Sequence, residues 1–283
     1  MSQRDAWVGG EEKRSDLLDR ALASRWLATF DQPSPADGIM PQGIHLCLCT
    51  PDARTDALGI DGHPSRDDSS SSFFPPIPLP RRMWASSRIE FLSPLKVGAK
   101  IERTSRIVSV SEKEGSTGKL GFVDVEHVTR ADGTETIREV QTLVYRDAMA
   151  SDAPLSPPAP GDGSLDSSEW DTVQVLTPSE VLLFRYSALT FNTHRIHYDL
   201  PYARDAERYR GLVVHGPLIA SLLLQLAARE VGENALKSFA FRAVSPAIAL
   251  EPLHLVMRGT SEGIEMGSFA SDGRQTLKAT ATL

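Results

Sequence analysis

The chain has 283 residues, 41% hydrophobic and 24% charged, which suits a packed core and leaves room for two domains of ordinary size. Its formal net charge of -7 argues against non-specific binding to nucleic acid, which needs a cationic surface to displace counter-ions. Two cysteines are too few for a disulfide framework. In the alternation Leu46-Cys47-Leu48-Cys49 they would share one face of a strand, as small buried apolar residues in a reducing compartment. The polar start Met1-Ser2-Gln3-Arg4-Asp5 offers no signal-peptide stretch. No apolar run approaches the roughly 20 residues that span a bilayer. A cytoplasmic protein with no membrane partner is expected.

A helix is expected over 15–29, where Leu17, Leu18, Ala21, Leu22 and Trp26 recur at helical spacing. Residues 65–80, with a serine run at 69–72 and then Pro75-Pro76-Ile77-Pro78, read as a mobile loop and a candidate lid. Strands follow at 88–91, 100–110, 121–129 and 134–146. In the third of these Val123, Val125, His127 and Thr129 alternate with polar neighbours. Gly115-Ser116-Thr117-Gly118 and Ala131-Asp132-Gly133 carry hairpin chemistry. The stretch Ala153-Pro154-Leu155-Ser156-Pro157-Pro158-Ala159-Pro160-Gly161 cannot hold a helix or a central strand. It divides the chain into an N-terminal domain at 1–148, a linker at 149–168 and a C-terminal domain at 169–283.

The second half repeats the theme. A helix is expected over 178–190 with Thr177 at its start, then a connector at 208–214 and a long apolar helix at 217–231. Strands are expected at 237–244, 253–260, 263–271 and 276–283. Each half thus pairs a helix with an antiparallel sheet, an α+β arrangement. The likeness between the halves is one of pattern, without a residue-level repeat.

The densest polar stretch is Asn192-Thr193-His194-Arg195-Ile196-His197-Tyr198-Asp199, leaving the first of these helices. Further on, His215-Gly216-Pro217 opens the long helix. Proline costs little in a first turn, and the free amides there, with the helix dipole, can polarise a carbonyl oxygen. A loop histidine facing such a terminus can activate water against a carbonyl-conjugated carbon. Each residue also has a structural reading. His197 could be a buried, hydrogen-bonded histidine, Asn192 a cap, His215 a helix start, and Arg195 the partner of Asp199. The pair Arg81 and Arg82 suits phosphates or a solvated surface. His194, His197 and His215 lack the glutamate of a zinc-protease motif, and no metal is expected.

The stretch resembles the active-site motif of MaoC-like, (R)-specific enoyl-thioester hydratases, roughly Gly-Asp-x-Asn-Pro-(Leu/Ile)-His. With the motif's histidine at His197, its aspartate falls at Asn192, its asparagine at His194 and its proline at Arg195. Val214-His215-Gly216 matches the His-Gly at the start of the family's central helix. The resemblance narrows to the double-hotdog branch with mitochondrial-type 3-hydroxyacyl-ACP dehydratases and itaconyl-CoA and mesaconyl-CoA hydratases. Phe191 through Asp199, Pro80-Arg81-Arg82-Met83-Trp84-Ala85, Gly59-Ile60-Asp61-Gly62-His63-Pro64 and Lys119-Leu120-Gly121-Phe122-Val123 carry it.

That resemblance implies a double hotdog, two antiparallel sheets each wrapping a central helix, with a catalytic second half and a degenerate first half completing the substrate tunnel. It implies a hydro-lyase that reversibly adds water to a 2-enoyl thioester. His197 would be the acid/base and the Gly216 amide would hold the thioester oxygen. Asn192 cannot exchange a proton, so His194 or a second protonation of His197 would complete the cycle. Arg81, Arg82, Arg195 and His215 are the expected substrate contacts. No separate cofactor is implied, since CoA or phosphopantetheine is part of the substrate. The acyl group could be a C5 dicarboxylic acid, with Arg195 or Arg185 as its cation, or a fatty acyl chain on a carrier protein. A hotdog thioesterase and a non-catalytic acyl-CoA-binding module are the rival readings; Ile44 before His45, where the branch usually has tryptophan, bears on the second. A homodimer is one expected assembly.

Overall fold

The alternating segments of both halves pair into one sheet. The computed structural model describes residues 5–67, 69, 72–115 and 118–283. The first half contributes β1 (Glu11–Leu17), β2 (Arg81–Phe91), β3 (Lys100–Gly115), β4 (Gly118–Ala131) and β5 (Thr134–Arg146). The second contributes β6 (Thr172–Leu176), β7 (Ser238–Ala243), β8 (Leu253–Thr260), β9 (Gly263–Ala270) and β10 (Gln275–Thr282). The ten strands run in the order β1-β3-β4-β5-β2-β7-β10-β9-β8-β6. Read inward from either edge, the two halves have the same connectivity.

They meet where β2 pairs antiparallel with β7, in a register that places Ser86 opposite Arg242, Arg88 opposite Ala240 and Glu90 opposite Ser238. The two expected sheets are therefore joined edge to edge. The likeness extends to single hydrogen bonds. Met40 N donates to Leu95 O as Val214 N donates to Ala247 O, and Leu92 and Ser93 donate to Thr136 O as Val244 and Ser245 donate to Thr276 O. What reads as a shared pattern in sequence is a repeated backbone.

The helices are α1 (Arg20–Thr29), α2 (Glu180–Thr190), α3 (Leu200–Asp205) and α4 (Gly216–Val231). α4 is apolar on nearly all sides, with Leu218, Ile219, Ala220, Leu223, Leu224, Leu226 and Ala227 buried, as befits a helix enclosed by protein. It ends at Gly232, whose φ of 107° no L side chain adopts easily. The first half has no counterpart among the described residues. After Met40 the described residues make only the 3-10 turns Ile44–Cys47 and Thr55–Ala57 before β2, and the first packs on α4, where a β-carbon at Gly43 would lie 3.4 Å from Leu224 Cδ1. The expected central helix exists once, not twice.

Smaller departures have local causes. Residues 15–17 belong to β1, pairing with 100–102 of β3, and the helix begins later because Asp19 Oδ1 accepts from Leu22 N at 2.6 Å. α2 is capped by Ser179 rather than Thr177, through Leu182 N at 3.2 Å. Cys47 and Cys49 are buried but not in a strand: Cys47 closes the 3-10 turn, and Cys49 is left-handed with φ 51°. The short helix α3 lies in a stretch without a predicted element. Asp68, Ser70 and Ser71 of the expected loop, and Ser116 and Thr117 of the expected hairpin, lie outside the described residues. No helix among the described residues is long and apolar enough to cross a membrane.

Candidate active site

The segment after α2 is shaped by its own polar groups. Phe191 leaves the helix in the left-handed region at φ 49°, and Asn192 N donates to Ser187 O at 2.9 Å. Asn192 Oδ1 then accepts from His194 N at 2.9 Å, turning the chain into the 3-10 turn Arg195–His197. Asp199 caps α3 through Tyr202 N at 3.1 Å and also binds Arg195, 2.7 Å from Nη2. Arg195 Nη1 donates to Ile60 O, and the guanidinium lies over the Tyr202 ring.

His197 is fixed from two sides. Val213 N donates to Ile196 O at 3.0 Å, and His197 Nδ1 lies 2.7 Å from Val213 O. A carbonyl only accepts, so the proton resides on Nδ1 and Nε2 keeps its lone pair. The ring is only 7% exposed, and burial pushes its pKa down to about 4 against the opposing pull of the Val213 bond. Its face stacks on His215 at a centroid distance of 3.5 Å. His215 Nε2 is 2.9 Å from Ser187 Oγ, its Nδ1 is buried without a partner, and its side chain does not cap α4.

The first half reaches into this site. Gly62 has φ 86°, and a β-carbon there would fall 1.9 Å from Thr193 O, so only glycine allows the approach. Thr193 Oγ1 donates to Gly62 O, and Arg195 N donates to Asp61 O at 2.9 Å. This docking puts His63 against His194, ring centroids 4.1 Å apart, with His194 edge-on to His197 at 5.5 Å. His63 Nδ1 donates to Asp61 Oδ2 at 3.0 Å. Burial works against the Asp61 carboxylate, yet the bonds and charge from His63 hold its pKa near 2. Burial, then the neighbouring imidazoles His63 and His197, push His194 down to about 2. Asp61, His63 and His194 bring three potential ligand atoms within 4.8 Å of one another, although Asp61 and the His63 Nδ1–H already satisfy each other.

One cavity of about 970 Å³ is lined by Asn192, His194, His197, His215, Gly216, Arg81 and Arg82. A β-carbon at Gly216 would meet nothing within 4 Å, so the space beside its α-carbon at the start of α4 is open. Arg81 is committed to Glu207 at 2.6 Å and to Tyr209 Oη at 3.0 Å, while Arg82 lies over the Phe74 ring. Arg195 is not among the lining residues, and its charge is matched by Asp199. Arg185 donates to Ala28 O and is also off the cavity. Sequence reasoning assigned no role to Asp61, His63, His45 or Arg103. The first two lie in the Gly59–Pro64 match, but nothing in the sequence says that this loop docks on His194.

The model of the family described as hydroxyacyl-thioester dehydratase type 2 matches residues 43–249. The chain is 40% identical to mesaconyl-C(4)-CoA hydratase of Chloroflexus aurantiacus, over 100% of this chain and 99% of that protein. Among solved structures, a MaoC-like dehydratase superposes with a TM-score of 0.71 at 16% identity, covering 98% of both chains. A Mycobacterium tuberculosis protein described as having a double hotdog fold gives 0.56 at 14% identity, covering 97% of this chain and 95% of that one. Those two likenesses speak for the fold, and the family model and the Chloroflexus relative speak for the chemistry. The chain belongs to the hydroxyacyl-thioester dehydratase type 2 family and is a MaoC-like, double-hotdog hydro-lyase of acyl thioesters.

Proposed function

We propose that the protein reversibly hydrates a short 2-enoyl-CoA bearing a second carboxylate, a C5 dicarboxylic thioester of the mesaconyl-C4-CoA type. The observation that carries the chemistry is His197, its Nδ1–H held by Val213 O, lining the same cavity as Gly216, the first residue of α4. The full-length relative supports the acyl group.

In the hydration direction the thioester oxygen accepts from Gly216 N–H at the positive end of α4. Water attacks the β-carbon while His197 Nε2 takes one of its protons, and the C=C electrons move toward the thioester as an enolate. Asn192 has no proton to exchange, and its Oδ1 is held by His194 N, which leaves the amide NH2 to orient water. His194, pushed down to about 2, stays neutral and is a poor proton store. His197 completes the cycle itself. A ring whose burial favours the neutral form is a strong acid once protonated, so it returns the proton to the α-carbon from the face on which it took it.

The test is to incubate the wild-type chain with mesaconyl-C4-CoA, following enoyl-thioester absorbance and free thiol together. Loss of absorbance without thiol release is the expected result. Thiol release would turn the reading to a thioesterase, and no change in either would remove the proposed substrate.

A further inference from the structure

The middle of the inner face of β3, β4 and β5 has no helix against it and is polar, between apolar ends at Ile101 and Ile137 and at Val123, Val125 and Leu143. Arg103, Ser105, His127, Thr129, Glu139 and Gln141 all line the cavity that holds His197. Most of these groups are matched. Ser105 Oγ is 2.8 Å from His127 Nδ1, His127 Nε2 is 3.3 Å from Gln141 Oε1, and Ser87 Oγ donates to Glu139 Oε1 at 2.5 Å. Two are not. His45, at 6% exposure, has a partner on neither ring nitrogen. Arg103 donates from its terminal nitrogens to Leu48 O at 3.3 Å and Cys49 O at 2.5 Å, but its buried Nε has no partner. Among the described residues no carboxylate lies within ion-pair distance of Arg103, since Arg14 rather than Arg103 takes Glu12 and Asp52.

An uncompensated guanidinium beside an unpartnered imidazole is costly in a closed chain and is matched when a ligand brings an anion. We propose that this chamber recognises the second carboxylate of the acyl group, with Arg103 as its counter-ion and His45 as a hydrogen-bond donor. The proposal rests on the reading that the cavity takes an enoyl thioester, and it assigns the residues that choose among such thioesters. Of the other charges on the cavity wall, Arg14 is paired with Glu12 and Arg81 with Glu207. Burial holds His45 near 3 and His127 near 4, so both stay neutral, and it raises Glu139 against the opposing pull of Ser87 and Arg103. The same face rejects a long alkyl chain, which would bury these groups without hydrogen bonds. Here the missing helix of the first half has a use: it leaves room, and the strands behind it supply the charge.

The test compares fumaryl-CoA with crotonyl-CoA, which carry a carboxylate and a methyl group on the same β-carbon, in wild type, Arg103→Met and Arg103→Lys. The expected result is a loss of kcat/KM on the order of 100-fold for fumaryl-CoA in Arg103→Met, as for a severed buried charge contact. The ratio of fumaryl-CoA to crotonyl-CoA kcat/KM should fall by about that factor, whatever loss the two share, and Arg103→Lys should restore part of the preference. Equal losses on both thioesters, or none, would overturn it. Binding of succinyl-CoA against butyryl-CoA by calorimetry needs no turnover. A wild-type preference for succinyl-CoA that disappears in Arg103→Met supports the chamber even where hydration fails, and equal affinities overturn it even where hydration succeeds.

Discussion

In the second half, the strands that face α4 present Leu253, Leu255, Met257, Ile264, Met266, Leu277 and Ala279, all buried in the main core. In the first half the strands of the same connectivity present Arg103, Ser105, His127, Thr129, Glu139 and Gln141 to a cavity. One backbone plan therefore serves two purposes. Where the helix is kept, the sheet beneath it is apolar, and the proposed role of the helix N-terminus is to hold the thioester oxygen. Where the helix is lost, the middle of the sheet is polar, and its proposed role is to read the acyl group. Buried polar groups cost stability unless matched, so the unmatched Arg103 Nε and His45 ring are where the proposed recognition should be felt.

The contrast can be broken most sharply at His197. His197→Ala should lower kcat by about 10²- to 10⁴-fold, the range of a lost general base, on carboxylated and neutral thioesters alike. A loss confined to one thioester class, measured by steady-state kinetics, would move chemistry into the first half. Next come two core substitutions of opposite expected outcome. Leu223→Ala, in the packed face of α4, should cost about 2–5 kcal/mol in urea unfolding. His45→Leu should cost little or even stabilise, because it removes two unmatched nitrogens, and it should weaken binding of a carboxylated thioester. Equal costs would mean that the chamber is ordinary core.

Gly62→Ala tests whether the halves must touch. Its β-carbon would overlap Thr193 O, so the docked loop has to move, and a shift of about 1 Å near the chemistry costs on the order of 100-fold in kcat. Unchanged kcat would show that the loop only packs. The last effect is in pH and is shared among the buried imidazoles. His45, His127, His194 and His197 are held at about 3, 4, 2 and 4, below the ordinary 6.5. All four are neutral in both states above pH 6.5, where their contribution to stability is complete. As pH falls below 6.5 the unfolded chain gains their protons first, and stability drops until the folded values are passed. Each contributes at most about 1.4 kcal/mol per pH unit. Urea midpoints should therefore decline between pH 6.5 and 5, before carboxylates titrate; a flat profile there would place these rings in water.

Much of this was legible in the residues. Helices are expected over 178–190 and 217–231, where α2 and α4 lie, and the run from Asn192 to Asp199 with His215-Gly216 singles out the segments that meet at the cavity. β1 was hidden because Glu11–Leu17 is a mostly exposed, charged edge strand without apolar alternation. The chamber was half visible. Val123, Val125, His127 and Thr129 alternate along β4, so a histidine and a threonine follow two valines on one inward face, but only the absence of a covering helix gives that a meaning. The cation for a second carboxylate could not be chosen by chain proximity. Arg195 lies beside His197 in sequence yet is spent on Asp199, whereas Arg103 comes from a distant strand.

The central claim is that one histidine of the second half moves both protons, from one face of the double bond. Hydration of fumaryl-CoA in deuterium oxide, with the product read by proton NMR, tests it most directly. The account predicts a single deuterium on the α-carbon, syn to the new hydroxyl, and no incorporation with His197→Ala. Anti addition, or incorporation that persists without His197, would contradict it and require a second proton-transfer group in the cavity.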